Sequence, residues 1–556
     1  MIMNDNLTYL PLGGVGDVTR NMHVYQYKDE ILIIDCGLGF ADETMIGVEL
    51  LLPDISYLKT AISNGKKIVG MAISHGHEDH MGSLPFILPD LPSFPIFATP
   101  LTADFSNAKL KEFGVAARVQ KVNFDGGEVK VGSFTLDFIR VTHSVPDTSH
   151  IFIKTPVGNF YHGSDFKFEL APYDNKTSDL KKIAQVGREG IICMMSDCLR
   201  SEQKGHTPSE AMILPALERE LGKTKGKFIV TTYSSNIARV NQIIAAARKF
   251  GRKVCFVGRS MINTKDMAIN LGYLQVDKGM EVSLEQLKNF KDSSIVMIVA
   301  GSQGQENSAL SRIVNGDHKD IKLNPQDTVV FSSDTIPGNE ISVNSLIDAI
   351  ARRGARVIYS DISKEFHVSG HGAADDLKML MDLTKSKKVL PIGGTYKQMV
   401  QYKYLAKEQG FDDKDIILVE NGQPVIFSAE GASLGKKINL KKVYVDQISG
   451  EEIEGFVLRD RQKLATDGVL IVMAEIDSTS GQLVDRPNII VKGFSIPETQ
   501  EIVRDLARQI KNSLSQKRPK VTDWIYMRKF VGEVSERYLF KNFRKRPLIL
   551  PVVIEV

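Results

Sequence analysis

Three imidazoles and the carboxylate of Asp79 fall within one short stretch, Ser74-His75-Gly76-His77-Glu78-Asp79-His80, at the end of the apolar run Ile68 to Ser74. Neutral imidazoles bind borderline metals such as zinc, and a carboxylate adds an oxygen ligand. Leaving the end of a buried strand, these side chains can turn into a single crevice, and one loop of this kind can serve two metal ions. The chain has only 11 His, and three of them sit here, which argues against a solvated His-rich loop.

Two more polar residues stand at similar places. His143, in Val141-Thr-His-Ser-Val-Pro146, follows the alternating run Phe134 to Phe138, and Asp165, in His162-Gly-Ser-Asp-Phe166, follows Gly158 to Tyr161. Alone, each reads as a hydrogen-bonded loop residue; beside the cluster, each becomes a candidate ligand. Further on, Gly301-Ser-Gln-Gly304 and Gly370-His-Gly372 carry small residues whose amides can approach a phosphate closely. Gly-rich turns after strands are usually just turns, so neither stretch is decisive by itself. His367, Ser369 and His371 form a stronger set, two imidazoles four residues apart around a hydroxyl.

Such groups need a frame to hold them. At roughly 100 to 200 residues per domain, a chain of 556 residues predicts two or three domains. An apolar share of 42% with 25% charged residues excludes wholesale disorder. No apolar stretch approaches the roughly 18 to 20 residues that cross a bilayer, and the opening MIMNDNLTYLPLGGVGD lacks the layout of a secretory signal, so a soluble cytoplasmic protein is expected. Cys36, Cys193, Cys198 and Cys255 show no CxxC spacing, which leaves thiolate zinc sites out. The net charge is only +3, but from Lys517 onward ten Lys or Arg stand against four Asp or Glu. That tail reads either as a solvated basic face or as a surface for a polyanion or for assembly.

The first 210 residues read as short strands joined by loops. Ile31 to Asp35 and Ile68 to Ser74 are buried-strand runs, and Phe134 to Phe138 alternates like a half-exposed strand. The middle changes character. A strand at Lys227 to Thr232, a helix from Asn236 to Phe250 and a strand at Lys253 to Gly258 suggest a right-handed crossover in a parallel sheet. Ser294 to Ala300, Thr328 to Phe331 and Ala355 to Tyr359 continue the pattern. A small, basic segment from Gly431 reads as a linker. Beyond it, strands at Val469 to Met473 and Asn488 to Lys492 and a helix from Thr499 to Leu514, with Ile502, Leu506 and Ile510 on one face, predict a third domain.

The HxHxDH run followed by His143 and Asp165 strongly resembles the metallo-β-lactamase fold. The resemblance assigns His75, His77 and His143 to one metal and Asp79 and His80 to a second, with Asp165 bridging; Asp35 would orient the metal-binding loop rather than ligate. Two such ions about 4 Å apart activate water and offset charge on a phosphodiester. The blocks Pro11 to Gly16, Ser196-Asp197 with Gly205 to Glu210, Val257 to Met261, Gly301 to Gly304, Ile336 to Glu340, His367 to Gly372, Val457 to Arg461 and Arg546 to Pro551 follow in the order seen in ribonuclease J. The whole chain is therefore similar to that family.

The resemblance implies an α/β chain: a metallo-β-lactamase αββα sandwich over 1–210 and 363–430, an inserted β-CASP α/β domain over 211–362, a linker over 431–448 and a small α+β C-terminal domain over 449–556. It implies 5′ to 3′ exonuclease action on 5′-monophosphorylated RNA, with endonuclease action besides, in RNA maturation and decay. Ser302, His367, Ser369, His371 and Gly372 would bind RNA phosphate, and His371 and Asp79 would be catalytic, His371 as proton donor to the leaving oxygen. Zinc is the expected metal, with Mn²⁺ or Mg²⁺ as alternatives. Single-stranded RNA, a homodimer or homotetramer and a paralogous ribonuclease J subunit are the implied partners, with no membrane. One departure stands out. Where the family carries Pro-Val-His-Gly-Glu-Tyr, with a His completing the second metal's shell, this chain reads Pro391-Ile-Gly-Gly-Thr-Tyr396, so Gly393 replaces the ligand. That implies a weakened second site, and it keeps open a weakly active or inactive RNA-binding subunit of a ribonuclease J complex.

Overall fold

The computed structural model describes residues 5–42, 45–336, 338–446, 451–477, 483–494, 499–515 and 524–556. Pro337 of the Ile336 to Glu340 block, residues 447–448 of the expected linker, and Lys517, Arg518 and Lys520 of the basic tail lie outside these residues. The chain forms two compact units, Met1–Phe40 with Leu51–Val443, and Ala41–Leu50 with Tyr444–Val556.

In the first unit the apolar runs become strands buried on both faces. Along Glu30–Ile34, Ile31 and Ile33 enter one core while Leu32 and Ile34 enter another. A run that feeds two cores has no polar face to show, which is why the sequence there is continuously apolar. This strand lies inside an eight-stranded sheet ordered Gly431–Leu434, Val425–Ser428, Leu7–Gly13, Met22–Tyr27, Glu30–Ile34, Lys67–Ile73, Ile96–Ala98, Val119–Lys121. A six-stranded sheet runs Lys388–Ile392, Cys193–Asp197, Gly158–Gly163, Ser149–Thr155, Phe134–Arg140, Val129–Val131. Tyr9, Tyr25, Leu32 and Ile34 from the first sheet and Leu136, Phe152 and Phe160 from the second share one core, so the two sheets face each other. Helices Ser56–Ser63 and Pro100–Glu112 cover the first sheet through Leu58, Leu101 and Leu110, and helices Leu180–Arg188, Ala374–Thr384 and Tyr396–Glu408 cover the second through Ile183, Leu377 and Met399.

The middle of the chain forms a five-stranded, all-parallel sheet ordered Lys253–Val257, Ile295–Val299, Phe228–Thr231, Thr328–Phe331, Arg356–Ile358. Helix Ile237–Lys249 supplies the crossover, with Asn236 as its N-cap accepting from the Arg239 amide at 3.0 Å. After this insertion the chain returns to the sandwich at Lys388–Ile392, parallel to Cys193–Asp197.

In the second unit Val469–Ile476 pairs antiparallel with Asn488–Lys492 and parallel with Leu548–Glu555. Helices Thr499–Ser515 and Trp524–Phe543 pack against one face of these strands through Ile502, Leu506, Ile510, Val531 and Leu539. Loop 41–50 contributes Val48 to a small cluster with Ile453 and Leu458, and Arg461 donates to the Gly47 carbonyl at 2.8 Å.

Three expectations need correction. Gly431–Leu434, placed in the linker, is a strand paired with Val425–Ser428; small and polar residues suit a sheet edge as well as a loop. Phe134–Arg140 is not half exposed, because the outward-facing Asp137 is buried under helix Leu180–Arg188 and pairs with Lys182 at 2.6 Å. Residues 41–50, read as part of the first domain, pack with the C-terminal unit.

Candidate metal centre

The first sheet ends its strand Lys67–Ile73 at Ser74, and the next residues turn back over the strand end. His77 caps the short helix Glu78–Met81, so His75 and His77 leave before the helix while Asp79 and His80 leave from it. His143 follows Phe134–Arg140 and Asp165 follows Gly158–Gly163, both on the second sheet. Two facing sheets thus direct their strand ends at one point. His77 Nδ1 lies 3.1 Å from His75 Nε2 and 3.1 Å from His143 Nε2. Asp165 Oδ2 sits among them, 3.6 Å from His75 Nε2, 3.7 Å from His143 Nε2 and 3.4 Å from His80 Nε2. Asp79 Oδ2 is 3.7 Å from His80 Nε2. Ligand atoms of His75, His77, His143 and Asp165, and separately of Asp79, His80 and Asp165, all lie within 4.8 Å of one another.

The other nitrogen of each ring is already engaged. His143 Nδ1 donates to the Gly370 carbonyl at 2.8 Å, His80 Nδ1 donates to Asp35 Oδ2 at 2.7 Å, and His75 Nδ1 faces Ser74 Oγ at 3.0 Å. Ser74 Oγ in turn donates to Asp35 at 2.8 Å, and His77 Nε2 faces Ser144 Oγ at 3.3 Å. These partners orient the rings so that four nitrogens turn inward on one carboxylate. Three neutral imidazoles whose inner nitrogens gather within 4.8 Å of one another and of a carboxylate form a donor set that fits a borderline divalent metal. By contrast, the buried His23, His150 and His162 are held by Tyr hydroxyls, Tyr9 at 2.9 Å, Tyr161 at 2.9 Å and Tyr25 at 3.0 Å.

The electrostatics divide the rings. Burial pushes His75 and His143 well below the ordinary imidazole range and His77 down to about 4, so all three are neutral. Burial opposes charge on His80 and His371 as well, but acids outweigh it. Asp165, Asp79 and Asp35 hold His80 well above its usual range, and Asp197 and Asp165 hold His371 up at about 9. Burial raises Asp79 to about 6 and raises Asp197 too. It also opposes the charge of Asp165, yet His80 and His371 hold that carboxylate well below its usual range. A cation among Asp79, His80 and Asp165 would take the place of the His80 proton.

Asp35 takes a backbone φ of +65°, accepts from the Ser74 amide at 2.7 Å and from the His80 ring, and touches no inward-facing nitrogen. His371 Nε2 comes within 3.8 Å of Asp165. The Ser369 hydroxyl accepts from the His371 amide at 3.2 Å. His367 Nε2 is 3.3 Å from Asp334, while its Nδ1 is buried without a partner. Ser302 is 4% exposed and lines a separate polar cleft of about 550 Å³ with Ser234, Arg259, Asn263 and Gln305. Gly372 needs correction as a phosphate donor, because its amide donates to the Phe166 carbonyl at 2.5 Å. Gly370 is small for another reason: a Cβ there would meet the His143 ring at 2.7 Å.

Sequence reasoning missed two residues. Asp197 ends Cys193–Asp197, and its Oδ2 accepts from His371 Nδ1 at 2.8 Å; it joins Asp165 and His371 as a third group with ligand atoms in reach of one another. The same signal that marked Asp35 and Asp165, an acid at the end of an apolar run, marks it too. Asn21 holds the Asp79 carbonyl through its Nδ2 at 3.1 Å, and nothing in the local sequence marks that. Gly393 ends Lys388–Ile392 with φ +66°, and a Cβ there would lie 3.5 Å from Asp197 Oδ1 and 3.7 Å from Asp165 Oδ1, pointing into the acid cluster.

Comparison with known proteins agrees with this geometry. Residues 15–177 match the metallo-β-lactamase superfamily, residues 225–350 the ribonuclease J β-CASP domain, and residues 456–556 the ribonuclease J C-terminal domain. Ribonuclease J of Thermus thermophilus is 36% identical over 99% of this chain and 96% of its own length. Ribonuclease J2 of Bacillus subtilis is 32% identical over 99% of both chains. A crystal structure of an Enterococcus faecalis protein of unknown function, at 16% identity and a TM-score of 0.53, covers 76% of this chain and shares the fold. Identity of this order along nearly the whole length, with three domain matches in order, makes the chain a member of the ribonuclease J family: a metal-dependent nuclease with a metallo-β-lactamase domain, an inserted β-CASP domain and a ribonuclease J C-terminal domain.

Proposed function

We propose that the chain is a ribonuclease that removes nucleotides 5′ to 3′ from 5′-monophosphorylated single-stranded RNA and also cuts internally, in RNA maturation and decay. The observation that carries this reading is the convergence of His75, His77, His143 and His80 on Asp165, each ring with its outer nitrogen already engaged. His75, His77, His143 and Asp165 would hold one divalent ion and Asp79, His80 and Asp165 a second, zinc first, with Mn²⁺ or Mg²⁺ as alternatives. Such ions activate water and offset the charge that develops on a phosphodiester.

The chain's own groups supply the rest. His371 is held through Nδ1 by Asp197, which leaves Nε2 turned toward Asp165 and able to give a proton to the leaving 3′ oxygen. Ser369 and His367, on the same short strap, would take the terminal phosphate, and Ser302 a phosphate further along. Asp79 serves both as a ligand and in catalysis. Gly393 leaves the second ion one protein ligand short, so that ion binds weakly, or with an oxygen of the substrate phosphate completing its shell. Assembly as a homodimer or homotetramer, or with a paralogous subunit, belongs to this reading. Among the described residues, no helix is long and apolar enough to cross a membrane.

Gly393 also favours a second reading, an RNA-binding subunit with little activity of its own. A time course on 3′-labelled, 5′-monophosphorylated RNA with Mn²⁺, beside His77→Ala and a 5′-triphosphate substrate, separates the two. Metal-dependent cleavage that His77→Ala loses and that prefers the monophosphate supports the exonuclease. Cleavage no faster than the His77→Ala background overturns it for the isolated chain and favours the binding subunit.

A further inference from the structure

Two segments, residues 198–212 and 359–373, join the sandwich to the five-stranded sheet, and both are held by one buried side chain. Arg239, in the first turn of Ile237–Lys249, is 0% exposed and spends every donor of its guanidinium. Nε donates to Glu210 Oε2 at 3.1 Å, and Nη2 to Oε1 and Oε2 at 3.0 and 2.9 Å. Nη1 donates to Ser332 O at 2.6 Å, Ser332 Oγ at 2.7 Å and Phe366 O at 3.0 Å. Ser332 Oγ donates to the same Phe366 carbonyl at 2.6 Å. The carbonyl that precedes His367 is therefore gripped twice.

Glu210 carries the network back toward the ligands. Its amide and the Ser209 hydroxyl donate to Glu169 Oε1 at 2.8 and 2.5 Å, and Glu169 Oε2 pairs with the buried Lys167 at 3.0 Å. The Lys167 amide donates to the Thr142 carbonyl, next to His143. A polar chain thus runs from the segments bearing Asp165 and His143, through Arg239, to the strap of residues 367–372. At the far end the strap meets the ligands again, where His143 donates to Gly370 O. Arg239 itself touches no candidate ligand. An apolar side chain could fill its space, but only a planar fork of fixed donors can pin a carboxylate on one segment and a carbonyl on the other at once.

We propose that Arg239 is a positioning residue: by holding Phe366 O against Glu210 it sets the strap, and with it the approach of Ser369 and His371 to the metal ligands. The inference rests on the ribonuclease reading of the site and adds to it a residue outside the cleft on which RNA turnover depends. Lysine keeps the charge at this position but cannot reach both segments at once.

The test compares full-length wild-type protein with Arg239→Lys and, as a milder change that leaves the ion pair intact, Ser332→Ala. Three quantities are read: bound metal, turnover with Mn²⁺, and backbone hydrogen exchange over residues 366–372. Turnover is measured on 5′-monophosphorylated RNA and on bis(4-nitrophenyl) phosphate, whose leaving group needs no proton and which has no 5′ phosphate to grip. The expected result is unchanged metal, small-diester turnover within about twofold, faster exchange of the strap, and a fall in kcat on RNA of roughly ten- to a hundredfold for Arg239→Lys. Ser332→Ala should move the same way by less. Unchanged RNA turnover, unchanged strap exchange, or a parallel loss on both substrates each overturns the proposal. Wild-type protein that cleaves neither substrate sinks the ribonuclease reading instead, and strap exchange still decides whether Arg239 holds the strap.

Discussion

The two candidate ion sites share Asp165 but differ in how they are built. In one, His75, His77 and His143 are neutral, the inner nitrogen of His77 lies 3.1 Å from those of the other two, and each outer nitrogen has a partner, a backbone carbonyl or a serine hydroxyl. In the other, neighbouring acids hold the His80 ring well above its usual range, burial raises Asp79 to about 6, and the strand end that faces the acids carries Gly393, which has no side chain. A cation therefore competes with a proton for His80 at the second site, whereas burial already favours neutral rings at the first. The difference teaches that a donor set of neutral rings and one with a charged ring can share a carboxylate, so occupancy of the two need not rise together.

Substitutions at the shared group and at the first site should break this comparison most severely. Asp165→Asn removes the one carboxylate that faces all four inner nitrogens, so both ions should be lost and RNA cleavage should fall by at least about 1,000-fold. His77→Ala removes only the nitrogen between His75 and His143. It should release the first ion with a comparable loss of rate, while a residual, weak second site stays titratable. Metal content after dialysis, read beside single-turnover rates, tells the two apart; equal metal loss in both variants would mean that the sites fill as one.

Asp35 reaches the two sites by routes of different length. It accepts directly from the His80 ring at 2.7 Å but touches His75 only through Ser74 Oγ. Asp35→Asn puts an amide donor against groups that are themselves donors, and should cost roughly 10- to 100-fold in metal affinity. The second site should lose more than the first. Equal weakening, measured by Mn²⁺ titration, would show that the Ser74 relay orients His75 as tightly as the direct bond orients His80.

Much of this arrangement is legible in the sequence because strand ends are legible. An apolar run that stops at a polar residue marks the rim of a sheet, and His75, His143 and Asp165 stand at such stops; Asp35 does too, but its role follows from the family resemblance. Asp197 sits at an equivalent stop but has no His beside it to raise suspicion. Arg239 could not be found at all: it looks like any basic residue near a helix start, and only the fold brings Glu210 and Phe366 to it. Strand Gly431–Leu434 reads as a linker because edge strands need few apolar residues. The pairing of loop 41–50 with the C-terminal unit is a long-range contact that no local pattern encodes.

Adding an imidazole at Gly393 tests the proposed weakness of the site formed by Asp79, His80 and Asp165, with the smallest expected effect. The Cβ of Gly393→His would stand in ordinary contact with Asp197 and Asp165, at 3.5 and 3.7 Å, and would direct the ring toward the acids. The backbone resists, since φ is +66° and a non-glycine residue in the left-handed region costs about 1 kcal/mol or somewhat more. Some stability should therefore be lost even if the site gains a ligand. The net expectation is a lower Mn²⁺ concentration for half-maximal activity and a gain in rate of roughly threefold to tenfold at limiting metal, fading at saturation. Gly393→Ala has the same backbone cost and no ligand, so it isolates the contribution of the ring. A gain in Gly393→His that Gly393→Ala lacks would establish the second site as the limiting one; identical behaviour of the two would mean that another group already completes that shell.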